Sequence, residues 1–268
     1  MKLNTSYDMP QLGIGTYMLM NHTAERAVYE ALKDGYRLID TARIYGNERG
    51  VGKAIHKAIQ EGIVRREDLF VTTKMWTSDY GHAERAVDAS LKRLGLTYID
   101  LMILHHSQPR NDIEAYQAME KAAEDGKLRS IGLSNYYSVS DFERLIRQTT
   151  IHPAVLQNEL HPFYQDPAFV QYVQSTGTVM EAWFPLGGRG DHRKLMEHPV
   201  IKNIAGAHHA SSAQVILAWH LQKGFVAVPG SSNRKHIAEN IGAFQIHLSD
   251  EEMNQINRLD TGRRFASY

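Results

Sequence analysis

Residues able to move protons stand at the ends of apolar runs in the first half of the chain. Asp40 closes "RLID", Lys74 closes "LFVTTK", His105 closes "IDLMILH", and Tyr45 follows Asp40 by five positions in "YRLIDTARIYGNE". A carboxylate behind an apolar run needs a partner, because burying even a neutral polar group unpaired costs roughly 2–7 kcal/mol. Lys74 on the next run can supply it. Held by Asp40, the ammonium keeps its charge and direction. Within a few ångströms of a tyrosine hydroxyl it lowers a pKa that ordinarily lies near ~10. Tyr45 then suits proton donation, or acceptance in reverse, with His105 serving the same small substrate atom. Each residue alone has a plainer reading: a solvated lysine at a strand boundary, a satisfied core histidine, an aspartate capping a turn. Their shared position at successive run ends favours one site.

The elements that must position them are short apolar runs separated by amphipathic stretches. Strands are expected at 12–16, 37–42, 69–74, 99–105, 129–134, 155–160, 179–184 and 225–230. Between them lie helical patterns such as "TAERAVYEALKDG", "AERAVDASLKRLG" and "DIEAYQAMEKAAEDG", several of them ending in glycine. Such alternation indicates parallel βαβ units, and eight of them indicate an α/β chain folded as a single (β/α)8 barrel domain over residues 1–268. An open doubly wound sheet would carry a G-x-G-x-x-G turn after its first strand. Here "GIGTYM" has only Gly13 and Gly15, and "GVGKAI" falls inside a predicted helix. Barrel enzymes build their sites at the C-terminal strand ends. Those ends carry Tyr17, Asp40, Lys74, His105, Ser134 with Asn135, Gln157 with Glu159, Trp183 and Ser231.

Composition narrows the class. Thirty basic and thirty acidic side chains cancel, which gives no footprint for nucleic acid or an anionic membrane surface. No apolar run approaches the ~18 residues of a membrane span, and the first ten residues lack the apolar centre of a signal peptide. The chain has no cysteine, which excludes disulfides and thiolate metal sites. No H-E-x-x-H or similar spacing suggests a metal. A cytoplasmic protein is expected.

The segments "GYRLIDTARIYGNERGVG", "VTTKMW", "DLMILHH", "GLSNY", "QNELHP", "AWFPLG" and "VPGSSNRKHIAEN" follow one another in this order. In order and spacing the sequence resembles the aldo-keto reductases, most closely their small bacterial 2,5-diketo-D-gluconate reductase-like branch, from about Leu12 to Asp260. The resemblance implies NAD(P)H-dependent reduction of aldehydes and ketones, with Asp40, Tyr45, Lys74 and His105 as catalytic tetrad. Tyr45 would protonate the carbonyl oxygen while the reduced nicotinamide delivers hydride to the carbon. Ser134, Asn135 and Gln157 would hold the carboxamide, and Trp183 stands where a stacking tyrosine is usual. Leu186, Ser231, Ser232, Asn233, Arg234, Glu239 and Asn240 match the pyrophosphate and adenine end. Tyr17, Trp76 and His106 match substrate-pocket positions beside Tyr45 and His105. A monomer is implied.

Two departures bear on specificity. Gly230 occupies a position where relatives that prefer the phosphorylated dinucleotide often have lysine, and His236 one where they often have arginine. Arg234 and Lys235 could meet a 2′-phosphate instead, or could be solvated residues at a helix start. NADPH is the expected cofactor, with NADH the alternative. The second departure, His106, makes the substrate rim more polar if it faces the pocket. The segment 187–199 is expected over the cofactor. Two other functions compete: a barrel lyase using Lys74 as a Schiff-base nucleophile, and a non-catalytic dinucleotide-binding redox sensor.

Overall fold

Short runs that stay apolar through both alternating faces are what a sheet covered on both sides requires. In the computed structural model, which describes residues 1–188 and 192–266, they form eight parallel strands. These are β1 (Gly13–Gly15), β2 (Leu38–Asp40), β3 (Phe70–Met75), β4 (Ile99–Leu104), β5 (Leu128–Ser134), β6 (Val155–Glu159), β7 (Val179–Trp183) and β8 (Val226–Ala227). Their spatial order is their sequence order. Parallel bridges Leu12↔Ala227 and Gly15↔Gly230 bring β8 back against β1 and complete a (β/α)8 barrel. All eight expected strands occur. The last is the most shortened, because Pro229 has no N–H to continue a ladder. Its carbonyl instead accepts from Gly15 N at 3.1 Å.

The barrel interior shows how sequence alternation makes a site. Residues two apart on a strand point the same way. Leu38, Phe70, Leu101, Ile103, Val155, Val179 and Val226 form an apolar interior cluster, joined from below by Leu3 and Met9 of the N-terminal segment. Continuing upward by twos, Leu38 leads to Asp40, Phe70 through Thr72 to Lys74, Ile103 to His105, Val155 to Gln157 and Val179 to Glu181. The interior therefore changes from apolar to polar along the strand direction. The larger core lies outside the barrel, between strands and helices.

Helix ends follow their local chemistry. Ser211 and Ser249 form capping boxes with Gln214 and Glu252, and the helix Ala83–Leu94 stops at left-handed Gly95. The glycine pair in "GVGKAI" serves packing. A Cβ on Gly50 would lie 2.0 Å from Asn21 O, and one on Gly52 2.2 Å from Leu94 O, so these glycines let helix Glu48–Gln60 touch both neighbours. No helix among the described residues is long and apolar enough to cross a membrane.

Candidate active site

The polar layer converges on Lys74. Its Nζ donates to Asp40 Oδ1 at 2.6 Å and Oδ2 at 2.7 Å, to Thr41 O at 3.1 Å and to Tyr45 Oη at 3.3 Å. Lys74 and Asp40 are 1% and 4% exposed. Burial, the largest influence, disfavours the Lys74 ammonium, but the Asp40 carboxylate bonded to it, joined by Tyr45 and Glu181 at pH values where those ionise, outweighs burial and raises the lysine pKa above its ordinary value.

Tyr45 differs from the sequence expectation. Burial raises its pKa to about 12; Lys74 pulls it down, as expected, but not far enough to offset burial and the Asp40 charge. The hydroxyl thus stays protonated at neutral pH, the form an acid needs. His105 meets the Tyr45 ring edge-on at 5.8 Å, and its Nδ1 is buried without a hydrogen-bond partner among the described residues. Burial first, then the Lys74 and His106 charges, lower its pKa well below the usual value, so the imidazole is neutral.

Loop contacts fix these groups. Asn47 Oδ1 accepts from Thr41 Oγ1 at 2.7 Å and its Nδ2 donates to Thr16 O and Leu19 O at 2.8 and 2.9 Å. Glu48 is buried against Thr73 Oγ1 at 2.7 Å and the Arg93 guanidinium. The Asn-Glu pair following Tyr45 is therefore an anchor for the loop that carries it. Tyr80 Oη donates to His106 O at 2.7 Å and accepts from His106 N at 3.1 Å, steadying the end of β4.

A cleft of about 870 Å³ opens above the layer. It brings together Asp40, Tyr45, His105, Ser134, Asn135, Gln157, Trp183, Leu186, Ser231, Ser232 and Asn233, with Tyr17, Trp76 and His106 at the tyrosine end. Lys74 lies just beneath, through its bond to Tyr45. His106 stacks on His105 at 5.1 Å, so it takes the rim position. Of segment 187–199, Gly187, Gly188 and His192 line the cleft, while residues 189–191 lie outside the described ones.

Three expected cofactor residues are not in this lining. Arg234 Nε pairs with Glu30 Oε2 at 3.0 Å on another helix, Glu239 pairs with Lys235 at 3.7 Å, and Asn240 is buried at the end of helix Arg234–Asn240. His236 lines the cleft instead. Asn135 lines it too, but its Oδ1 already accepts from Tyr137 Oη and Trp183 Nε1, and its Nδ2 donates to His105 O and Ser134 Oγ. It can serve a ligand only by exchanging one of these bonds.

Sequence reasoning missed Met18, Ile44 and Phe184 in the wall and Glu181 behind it. Met18 and Phe184 have φ of 63° and 53°, a left-handed conformation that side chains other than glycine rarely adopt; local composition gave no sign of it. For Glu181 a signal existed: a carboxylate inside the apolar run "VMEAW". Gln157 Nε2 donates to both Asp40 Oδ2 and Glu181 Oε2 at 2.9 Å. Burial, then the Asp40 charge, push the Glu181 carboxyl up to about 8.

A barrel whose cleft floor joins a tyrosine hydroxyl to a buried ion pair is equipped as a proton-transferring enzyme. The aldo/keto reductase family profile matches residues 11–261, and the chain belongs to that family of oxidoreductases. It is 43% identical to morphine 6-dehydrogenase of Pseudomonas putida, across 98% of this chain and 92% of that protein. It is 36% identical to the NAD(P)H-dependent D-xylose reductase I,II of Candida tropicalis, across 98% and 93%. The solved Bombyx mori aldo-keto reductase in complex with NADP superposes with a TM-score of 0.92 at 32% identity, covering 100% of this chain and 94% of that one.

Proposed function

We propose that this protein is a cytoplasmic, monomeric carbonyl reductase that uses NADPH to convert small aldehydes and ketones to alcohols. The observation that carries this reading is the Lys74 ammonium, bonded to both oxygens of Asp40 and to the Tyr45 hydroxyl beneath the cleft.

The cleft residues suit a dinucleotide. Both hydrogens of the Gln157 amide nitrogen go to carboxylates, which leaves its carbonyl oxygen for a carboxamide N–H. Ser134 Oγ accepts from Asn135 at 3.1 Å and keeps its own proton to donate. Trp183 offers an indole face for stacking, and Leu186, Ser231, Ser232 and Asn233 continue the cleft toward its far end. A reduced nicotinamide bound there supplies the hydride. Tyr45 gives its proton to the carbonyl oxygen, and Lys74 holds the tyrosine hydroxyl in place and offsets the negative charge left on it. Asp40 keeps Lys74 charged. His105, neutral, supplies either a donor or an acceptor beside the same oxygen. Tyr17, Trp76, Met18 and Ile44 give the mouth an aromatic and apolar character, with His106 as its polar member.

The raised Lys74 pKa opposes a Schiff-base lyase, which needs a neutral amine. One observation favours NADH as the second reading: Arg234 and Lys235 are already paired with Glu30 and Glu239. Protein-fluorescence titration separates the two, because Trp76 and Trp183 line the cleft. Stronger quenching and tighter binding with NADPH are expected. The reverse order would make NADH the cofactor, and a null by fluorescence and calorimetry for both would overturn the reductase reading.

A further inference from the structure

Glu181 is a second carboxylate in the barrel interior that the proton transfer from Tyr45 does not use. It is fully buried, and its register partners on β6 and β8 are Gln157 and Val226. Val226 offers it only apolar surface. The charged groups turned toward it are Asp40 from β2 and Lys74 from β3. One oxygen accepts from Gln157; the other, Oε1, has no hydrogen-bond partner among the described residues. One ammonium thus faces two carboxylates, each 2.9 Å from the same amide nitrogen. Lys74 spends its short bonds on Asp40 alone.

This arrangement has two consequences. The Asp40 carboxylate only accepts, and Glu181 still accepts at Oε2 when a proton sits on its other oxygen, so the Gln157 amide presents its nitrogen to both. Its carbonyl oxygen is left to the cleft that Gln157 lines. The interior also has room for one more positive charge. With Asp40 and Lys74 paired, an ionised Glu181 is uncompensated, and like charges in a low-dielectric interior favour holding a proton on one of them. A nicotinamide ring is neutral when reduced and cationic when oxidised.

We propose that Glu181 is a positioning residue for the nicotinamide end of the cofactor: it locks the Gln157 amide, and it holds or releases a proton according to the charge on the ring bound above it. This rests on the dinucleotide reading of the cleft. With a neutral ring the carboxyl keeps its proton; with a cationic ring the carboxylate becomes the stable form and the proton leaves to solvent. Binding that releases a proton strengthens as pH rises, up to the pH at which the free protein has already lost it. His105 and His106 are both lowered from the ordinary imidazole range, and so contribute little proton release near pH 7.

The test is calorimetric titration of the protein with oxidised and, separately, reduced NADP, or with the NAD pair if that binds tighter, in two buffers of different ionisation enthalpy. The 2′-phosphate is common to both redox forms, so the difference between them isolates the ring. We expect the oxidised form to release roughly half a proton or more beyond the reduced form near pH 7, and its Kd to tighten ~10-fold between pH 6 and 8 before levelling. In Glu181→Gln, whose amide oxygen can still accept from Gln157, both differences should vanish while binding persists. Equal proton release by the two forms in the wild type would overturn the role of Glu181 even if the variant failed to fold, as would a difference that survived in Glu181→Gln. Absence of binding by either form would overturn the dinucleotide reading and the proposal together.

Discussion

The Lys74 ammonium is held by four oxygens from three residues: two of Asp40, the Thr41 carbonyl and the Tyr45 hydroxyl. Removing one member of a buried ion pair leaves the other uncompensated, which costs about 3–5 kcal/mol. Lys74→Met and Asp40→Asn should each lose stability on that scale in urea titrations and also slow reduction severely; normal reductive rates in both would contradict the proton path. The Tyr45 hydroxyl, at about 12, remains in its acid form across ordinary buffers. Reductive kcat should therefore show no falling limb from Tyr45 until pH approaches that value, and a limb at neutral pH that Tyr45→Phe abolished would be inconsistent with a tyrosine so raised. At this scale the sequence was informative wherever a residue ended a strand. Asp40, Lys74 and His105 were legible because period-two alternation and strand ends place them. The net direction at Tyr45 was not, since burial competes with the lysine charge and only the packed structure says which is larger. Arg234 and Glu239 stand outside the cleft lining, paired with Glu30 and Lys235, and Glu30, 204 positions from Arg234, is a partner that no local motif names.

The loop from β2 into helix Glu48–Gln60 is the element that sets Tyr45 against Lys74. Asn47 spans it, tying Thr41 on one side to Thr16 and Leu19 on the other. Asn47→Ala should cost about 2–3 kcal/mol, because buried backbone carbonyls and a hydroxyl lose partners. It should lower kcat with little change in cofactor Kd, which urea denaturation and paired kinetic and binding measurements would check; weakened cofactor binding with unchanged kcat would contradict the anchoring role. Helix Glu48–Gln60 has its own constraint. Gly50→Ala or Gly52→Ala would force Cβ against backbone carbonyls at 2.0 or 2.2 Å, and each should lower stability by about 1–3 kcal/mol in denaturant unfolding. Strand order and most strand positions could be read from alternating apolar runs and helix stops. Part of the cleft wall could not. Met18 and Phe184 enter it through left-handed backbone that their side chains disfavour, and His192, inside the segment expected over the cofactor, is held by its Nδ1–H donating to the Leu186 carbonyl at 2.9 Å.

Across the molecule, the N-terminal segment and the last described residues pack against the barrel in different ways. Residues 1–9 bring Leu3 and Met9 into the interior cluster from below. At the other end, Glu159 of β6 accepts from the backbone N–H groups of Phe265 and Ala266 at 2.5 and 3.2 Å. His161 is buried beside Glu159 at 3.0 Å and stacks on Phe265 at 4.3 Å. Glu159 stood out in the sequence as a strand-end carboxylate, but its contacts are structural: it fastens the C-terminal segment next to the β7 loop. A local motif could not reveal this, because the partner is a backbone more than a hundred positions away. Glu159→Ala should release that segment, seen as faster proteolysis after Thr261 with the barrel intact; unchanged cleavage would show that Phe265 stacking alone holds it.

The measurement that bears most directly on the proposed function compares wild type with Tyr45→Phe, using NADPH consumption with a small aldehyde and NADPH binding by fluorescence in parallel. Loss of the general acid should lower turnover roughly 10²–10⁴-fold, with the Kd for NADPH nearly unchanged. Undiminished turnover in Tyr45→Phe would contradict the assignment of Tyr45 as the proton donor.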